Sequence, residues 1–436
     1  MTLETQLIRT KHEQISGDDM ELNWLYLDLN SYFASVEQQL QPKLQSKPVA
    51  IVPTMTDATC AIAASYEAKA YGVKTGTMIY EAKKICPELI CVQANHENYV
   101  KYHHIILAEI DKHIPIEIIS SIDEVACKLI GSQKNEKEAR KIANNIKIGI
   151  QNNVGQYIRC SIGIAPNRFL AKTASNLEKP NGLQVLYSKD IPERIKHFKL
   201  SDLTGIGKAM EYRLNKSGIL SIQELYNISP KHMRKIWGNV QGEKFWYMLR
   251  GKEIADIKTK RKTIGHSHVL EPKWRLIELA KKVMLRLLLK AASRLRRMEY
   301  YCSCLSLSIR TEKNIRLGGK SKFYRACDNK KLQEEATKIW NQLTKKQKFK
   351  QIKKISITLY NLKKKSDLHP ELFQDSNKKI TLNINRFETL SKTMDNINTR
   401  FGRDSITLGG LPNKIKSFSG TRIAFTRIPD KQEFYE

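Results

Sequence analysis

No Cys-x-x-Cys pair occurs in this chain, although it carries eight cysteines, at positions 60, 86, 91, 127, 160, 302, 304 and 327. Cys302-x-Cys304 lacks a second pair at zinc-like spacing, and His103-His104 and His266-x-His268 complete no metal finger. The pattern argues against a structural zinc site and a disulfide scaffold, and predicts a reduced, cytoplasmic chain. Long apolar runs are missing too. Residues 1–21 are polar and mixed in charge, unlike a signal peptide. No stretch approaches the ~20 apolar residues of a membrane span, so no membrane association is expected. There is no repeat of fixed period.

Acidic residues are scarce relative to basic ones. The 436 residues carry a net charge of +31 with pI near 9.7. Between Lys252 and Asp367 stand 32 Lys and Arg against 10 Asp and Glu, a local excess of +22. A surplus of this size favours a polyanionic partner, nucleic acid above all, and says little about fold. The length allows roughly three domains at about 100–200 residues each.

The few acids that matter form two motifs. Trp24-Leu25-Tyr26-Leu27-Asp28 is an apolar run ending in a carboxylate, and Ile118-Ile119-Ser120-Ser121-Ile122-Asp123-Glu124 is another. Carboxylates at strand ends can hold two divalent cations about 3.5–4 Å apart, the usual apparatus of in-line phosphoryl transfer. Asp123 and Glu124 are adjacent, so a continuous strand would point them to opposite faces, and a turn or bulge is needed to bring both to one site.

Periodicity predicts strands over 22–29, 49–52, 60–64, 89–93 and 158–164, two more within 116–130, and helices over 31–40, 65–71, 79–85, 98–113, 134–153 and 168–177. The order suits an α+β layer with helices on one face of a sheet. Residues 199–251 read as short helices. A second α+β pattern follows: strands near 263–270, 303–311 and 355–362, and helices over 275–297 and 332–343. One further helix is expected over 385–400.

Tyr66 and Lys69 are three residues apart on a helix and share a face suited to phosphate oxygens. Arg168 and Lys172 lie one turn apart on another helix, and Lys179-Pro180-Asn181-Gly182 is a turn signal. Leu203-Thr204-Gly205-Ile206-Gly207-Lys208 resembles a helix–hairpin–helix, whose glycines let backbone N–H groups approach a DNA phosphate. The basic connector Lys260-Arg261-Lys262 and the helix-borne Arg294, Arg296 and Arg297 are read as phosphate contacts, independent of sequence and sensitive to salt.

Taken together, Asp28-Leu29-Asn30-Ser31-Tyr32-Phe33-Ala34-Ser35-Val36-Glu37, Ser65-Tyr66-Glu67-Ala68-Lys69, Ser121-Ile122-Asp123-Glu124, Gly163-Ile164-Ala165-Pro166-Asn167, Ala171-Lys172 and Lys179-Pro180-Asn181-Gly182 resemble, in order and spacing, the Y-family translesion DNA polymerases of the bacterial DinB/UmuC type. The likeness runs from about Leu22 to Leu362 and is most specific in the first 185 residues. It implies a right-hand fold: palm over 22–30 and 92–185, fingers over 31–91, an all-α thumb over 186–255, a basic linker over 256–265 and an α+β little finger over 266–365. The tail of 1–21 and the region of 366–436 stand outside that scheme.

The same resemblance implies a monomeric DNA-directed DNA polymerase acting on primer-template DNA and deoxynucleoside triphosphates. Two Mg²⁺ ions would be held by Asp28, Asp123, Glu124 and the Leu29 carbonyl. Phe33 matches a steric gate against ribose, and Tyr32, Tyr66, Lys69 and Lys172 match nucleotide-binding positions. Asn30 departs from an Asp common in DinB enzymes, though UmuC-type proteins also have Asn there, and Lys69 stands where many members have Arg. A catalytically silent DNA-binding relative of the same fold is the alternative reading. Leu372 and Phe373, within Leu368-His369-Pro370-Glu371-Leu372-Phe373, loosely match a sliding-clamp docking peptide.

Overall fold

The computed structural model describes residues 21–255, 261–345, 349–367, 378–402 and 405–408. They form two compact units divided between residues 255 and 261. Both combine helices with sheets, so the α+β class holds.

In the first unit, Trp24–Leu29 forms β1 and Tyr32–Leu40 forms α1. Ser31 between them adopts a left-handed conformation, which makes the strand-to-helix corner. Val49–Val52 (β2), Ala63–Ala64 (β3), Tyr66–Ala70 (α2), Ile79–Ile85 (α3) and Ile90–Gln93 (β4) follow. These strands make a small sheet of order β3-β2-β4. The strand expected over 60–64 shrinks to two residues, because Cys60 pairs only through an isolated bridge to Met78. Next come His96–Asp111 (α4), Ile116–Ile119 (β5), Glu124–Lys128 (β6), Glu136–Asn153 (α5), Cys160–Ala165 (β7), Arg168–Ser175 (α6) and Leu183–Val185 (β8). They build the main sheet, of order β5-β6-β1-β7-β8, with β1 antiparallel to both β6 and β7.

Alternation along β1 decides which side chains meet where. Leu25 and Leu27 are fully buried on one face, beside Ile164 and Ile162 of β7. Trp24 and Tyr26 pack on the other face with Phe169, Leu170 and Ala171 of α6. Both faces are thus covered, which corrects the expectation of helices on one face alone. Gly163 makes the close approach of α6 possible: a Cβ there would lie 2.0 Å from the Ala171 carbonyl. The rest of this unit is helical, in four short pieces: Lys208–Lys216 (α7), Ile222–Asn227 (α8), Pro230–Trp237 (α9) and Val240–Leu249 (α10). Their apolar stripes join the same core, with Phe245 edge-on to Phe169 at 5.1 Å.

The second unit contains Thr263–Val269 (β9), Ile277–Arg297 (α11), Tyr300–Thr311 (β10), Arg316–Ala326 (β11), Asn329–Lys345 (α12), Ile352–Lys364 (β12) and Lys378–Phe401 (α13). Its antiparallel sheet has the order β11-β10-β12-β9. Leu305, Leu307, Ile355, Ile357 and Leu359 face the helices and are buried with Leu288, Leu295, Leu332 and Ile339. The sequence reading missed β11. Its apolar content is low and it carries Gly318-Gly319 with alternating basic residues, as suits an edge strand that must not attract a further strand.

Helix α13 extends beyond the helix expected over 385–400 and is clasped to this unit by polar contacts. Arg296 is only 9% exposed. Its Nε and Nη2 donate to the two oxygens of Asp395 at 2.6 and 2.8 Å, and its Nη1 donates to the Cys327 carbonyl and to Asn329. The Tyr301 hydroxyl donates to Glu388 and the Ser391 hydroxyl accepts from the Asn329 N–H. Asp395→Ala would leave a buried guanidinium short of its counter-charge. The expected loss is roughly 2–3 kcal/mol, at or just below the usual range for a broken buried pair because the Asp395 side chain keeps 25% of its exposure. Urea unfolding checks this, and the Arg296→Met, Asp395→Leu double variant should lose less than the single change.

Candidate active site

Asp28 and Glu124 are Cα partners across the antiparallel β1–β6 pair. Directly opposed residues project from the same face, so register alone brings these carboxylates together. Asp123 lies in the bend just before β6, where its carbonyl accepts the Leu29 N–H at 2.8 Å. The bend releases Asp123 from strand alternation and resolves the objection to adjacent ligands. Its carboxylate accepts a 2.5 Å hydrogen bond from Ser121 Oγ. Burial, with the negative fields of Asp28 and Glu124, pushes the Asp123 carboxyl up to about 6. Burial also raises Asp28, against the pull of Lys179.

Two ammonium groups answer this negative charge. Lys179 Nζ is 2.7 Å from Asp28 Oδ2. Lys172, projecting from α6, reaches both Glu124 oxygens at 2.7 and 2.8 Å. The Tyr26 hydroxyl donates to the same carboxylate at 3.0 Å. Both lysines are thus held on acids, and Lys179 also lines the adjoining cleft. The sequence reading named Lys172 and passed over Lys179, whose only signal was the Lys-Pro-Asn-Gly turn.

The cleft has a volume of about 260 Å³, and Asp28, Phe33, Tyr66, Lys69, Asp123 and Lys179 are among its walls. Tyr66 and Lys69 share a face of α2 as their spacing requires. Lys69 Nζ sits 4.4 Å from the Tyr66 ring centre and donates to Ser31 Oγ at 2.7 Å. Burial, and then the neighbouring Lys179, lowers the Lys69 ammonium. Burial keeps the Tyr66 phenol protonated, pushed up to about 12.

Phe33 forms a rigid aromatic wall and is 4% exposed. Its ring stacks on Tyr99 with centroids 4.4 Å apart and planes 13° apart. Tyr99 is itself fixed, since its hydroxyl donates to Glu37 at 2.9 Å and accepts the Asn95 N–H at 3.1 Å. Tyr32 also lines the cleft, but its hydroxyl donates inward to the Tyr99 carbonyl at 2.6 Å. The sequence offered no signal for Tyr99, which lies 66 residues after Phe33, whereas Glu37 stood one helical turn after Phe33 inside the Asp28-to-Glu37 motif with no role attached to it.

Hard carboxylate oxygens are the donor set that suits Mg²⁺. Asp28, Asp123 and Glu124 supply it, on a surface whose buried acids are short of positive charge. Among the described residues no group of three or more His, Cys, Asp or Glu is drawn close enough to enclose a metal. In this arrangement Lys179 holds Asp28 and Lys172 holds Glu124. A chelating arrangement needs those contacts to open.

Surfaces suited to nucleic acid lie in both units. Ile206 is buried while Gly205, Gly207 and Lys208 are exposed, so the hairpin before α7 is anchored by one side chain and presents its backbone to solvent. Gly205 needs its freedom, with φ of +94°. In the second unit, Arg296 is turned into the fold by the Asp395 clasp, so its assignment as a phosphate contact does not fit its geometry. Arg294 is half-buried, Arg297, Arg261 and Lys262 are exposed, and Lys260 lies outside the described residues. The sheet face away from the helices is more apt. Ser306, Ser308, Ser356 and Thr358 form its centre, and Arg310, Arg316, Lys320, Lys322 and Lys354 share that face with no acidic residue among them. Leu372 and Phe373 lie outside the described residues, as do residues 1–20 and most of 366–436.

Known proteins match along most of the chain. Residues 27–176 match the impB/mucB/samB family and residues 261–372 its C-terminal domain. Residues 201–253 match the thumb domain of DNA polymerase iota. A DNA polymerase IV of Moorella thermoacetica is 33% identical over 66% of this chain and 72% of its own length. A DNA polymerase IV of Bacillus velezensis is 27% identical over 90% of this chain and 94% of its own. Among solved structures, a Y-family DNA polymerase chimera, Dbh-Dpo4(243-245)-Dbh, shares the fold with a TM-score of 0.66 and 22% identity, over 78% of this chain and 98% of its own. An insertion ternary complex of Dbh DNA polymerase gives a TM-score of 0.51 at 24% identity over the same shares. Among the described residues no helix is long and apolar enough to cross a membrane. The acid-ended β1–β6 pair, the cleft beside it and these likenesses converge: the chain belongs to the Y family of DNA polymerases, in the group that includes DNA polymerase IV.

Proposed function

We propose that this polymerase extends a primer opposite damaged as well as intact template, with two Mg²⁺ ions bound at Asp28, Asp123, Glu124 and the Leu29 carbonyl. The observation that carries the reading is the cleft itself, where acids, two ammonium groups and a braced aromatic ring line one space. Bound there, the ions would lower the pKa of the primer 3′-hydroxyl and neutralise charge on the phosphates. Lys69 and Lys179 bind the triphosphate oxygens, and the protonated Tyr66 phenol donates to them. Lys172 and Tyr26 orient Glu124. Phe33, immobile against Tyr99, clashes with a ribose 2′-hydroxyl and leaves deoxyribose room.

Residues 22–30 and 92–185 act as palm, 31–91 as fingers, 186–255 as thumb and 266–365 as little finger. The 205–208 hairpin and the open sheet face grip primer-template DNA through its phosphates, and the enzyme works as a monomer. Tolerance of damage is drawn from the family likeness, as is docking of a sliding clamp on Leu372 and Phe373.

Primer extension with Mg²⁺ on intact and abasic templates tests the central reading. Wild-type enzyme should extend both, and Asp123→Ala should lose at least roughly 1,000-fold in kcat, about 4 kcal/mol. Retained extension by that variant would remove the acids from the chemistry. Phe33→Ala should weaken discrimination against ribonucleotides by ~100-fold, about 2.7 kcal/mol, in single-nucleotide insertion assays. The double change Lys320→Glu, Lys322→Glu should weaken DNA binding and flatten its salt dependence by about 2 in log–log slope. An unaltered slope would move the DNA contact off this sheet face.

A further inference from the structure

Among the described residues that line the cleft, Lys179 is the cation borne on a turn rather than a helix, and the turn is tied down by side chains from other elements. Ser161 of β7 lies directly opposite Asp28 and is fully buried. Its hydroxyl donates to the Glu178 carbonyl at 3.1 Å and accepts the Gly182 N–H at 3.2 Å and Asn30 Nδ2 at 3.1 Å. One donation and two acceptances use the full capacity of a hydroxyl. Asn30, 2% exposed at the end of β1, accepts the Asn181 N–H on its Oδ1 at 2.8 Å. Lys147 of α5 donates to the carbonyls of Asn181 and Gly182. The turn closes tightly on itself, with Asn181 at φ of +61° and no room for a Cβ on Gly182, where Glu178 O would lie 2.2 Å away.

The backbone is therefore pinned at residue 178 and again at 181 and 182, on either side of Lys179. We propose that Asn30 and Ser161 are positioning residues for nucleotide binding, which fix this turn so that the Lys179 ammonium is delivered to the cleft beside Asp28. The inference rests on the reading of the cleft as the triphosphate site. It also gives the Asn at position 30 a reason: Asp would keep the acceptor for Asn181 but lose the donor to Ser161, and would add a buried negative charge next to the acids.

A double-mutant cycle in steady-state insertion of a correct dNTP tests it. Ser161→Ala and Asn30→Ala should each raise the nucleotide KM by ~5–10-fold with kcat within ~2-fold, and Ser161→Thr, which keeps the hydroxyl, should stay near wild type. In a Lys179→Ala background the same two changes should add less than ~2-fold, because they act through Lys179. A purely structural role would instead multiply with Lys179→Ala and lower kcat. If Lys179→Ala raises KM but Ser161→Ala does not, or if the effects multiply, the positioning role is overturned while the triphosphate site stands. If Lys179→Ala leaves KM unchanged, the reading of the cleft fails first. Should Asn30→Ala not fold, Ser161→Ala decides alone.

Discussion

Carboxylates gathered at the end of a buried sheet repel one another and resist losing water, and much in the first unit answers that cost. The β1–β6 register places Asp28 opposite Glu124, and the bend at 121–123 adds Asp123. Two lysines then stand at salt-bridge distance from the acids. Tyr26 and Ser121 contribute hydroxyl donors. On the proposed reading, divalent ions would take the place of the lysines, since each ammonium neutralises one charge while a divalent ion can bridge several oxygens. Lysine on acid and metal on acid are then competing states, and displacement of Lys179 from Asp28 would free it for an anionic ligand in the same cleft.

Rigidity is distributed unevenly around that cleft. Phe33 is braced by Tyr99, and Tyr99 by Glu37 and Asn95, so that wall of the cleft has a defined surface. Lys69 rests on a Tyr66 ring and a serine hydroxyl, with no carboxylate partner within these contacts. On the proposed reading, the fixed shape would face the sugar, where one hydroxyl must be rejected, and the loosely held charge would face the phosphates. The second unit follows a related division: an apolar face buried under helices, and an open face of small hydroxyl residues flanked by cations that suits a backbone without reading bases.

Much of this was legible in the sequence. The apolar run ending at Asp28, the helix after it and the Tyr66–Lys69 spacing are local patterns, and the folded chain keeps them nearly residue for residue. What escaped depends on tertiary placement. Lys179 sits in a turn whose residues advertise only a change of direction, and that turn is tied down by Ser161 and Asn30, 18 and 149 residues from the lysine. Arg296 looked like part of a basic rim because its charge could be counted and its partner could not. Asp395 lies 99 residues on, on a helix whose docking no periodicity reveals. Strand β11 was hidden for a different reason. Its inward positions alternate Leu317, Gly319, Ser321 and Phe323, too few of them apolar to show a period of two, and its glycines read as a loop.

The central claim is that Asp28, Asp123 and Glu124 form a paired-cation site once the lysines yield. Anomalous diffraction from a crystal of the enzyme with primer-template, an incoming nucleotide and Mn²⁺ measures it directly. The account predicts two metal peaks among those three carboxylates, with Lys179 moved from Asp28 onto the triphosphate. A single peak or none, with Lys179 still paired to Asp28, would contradict it.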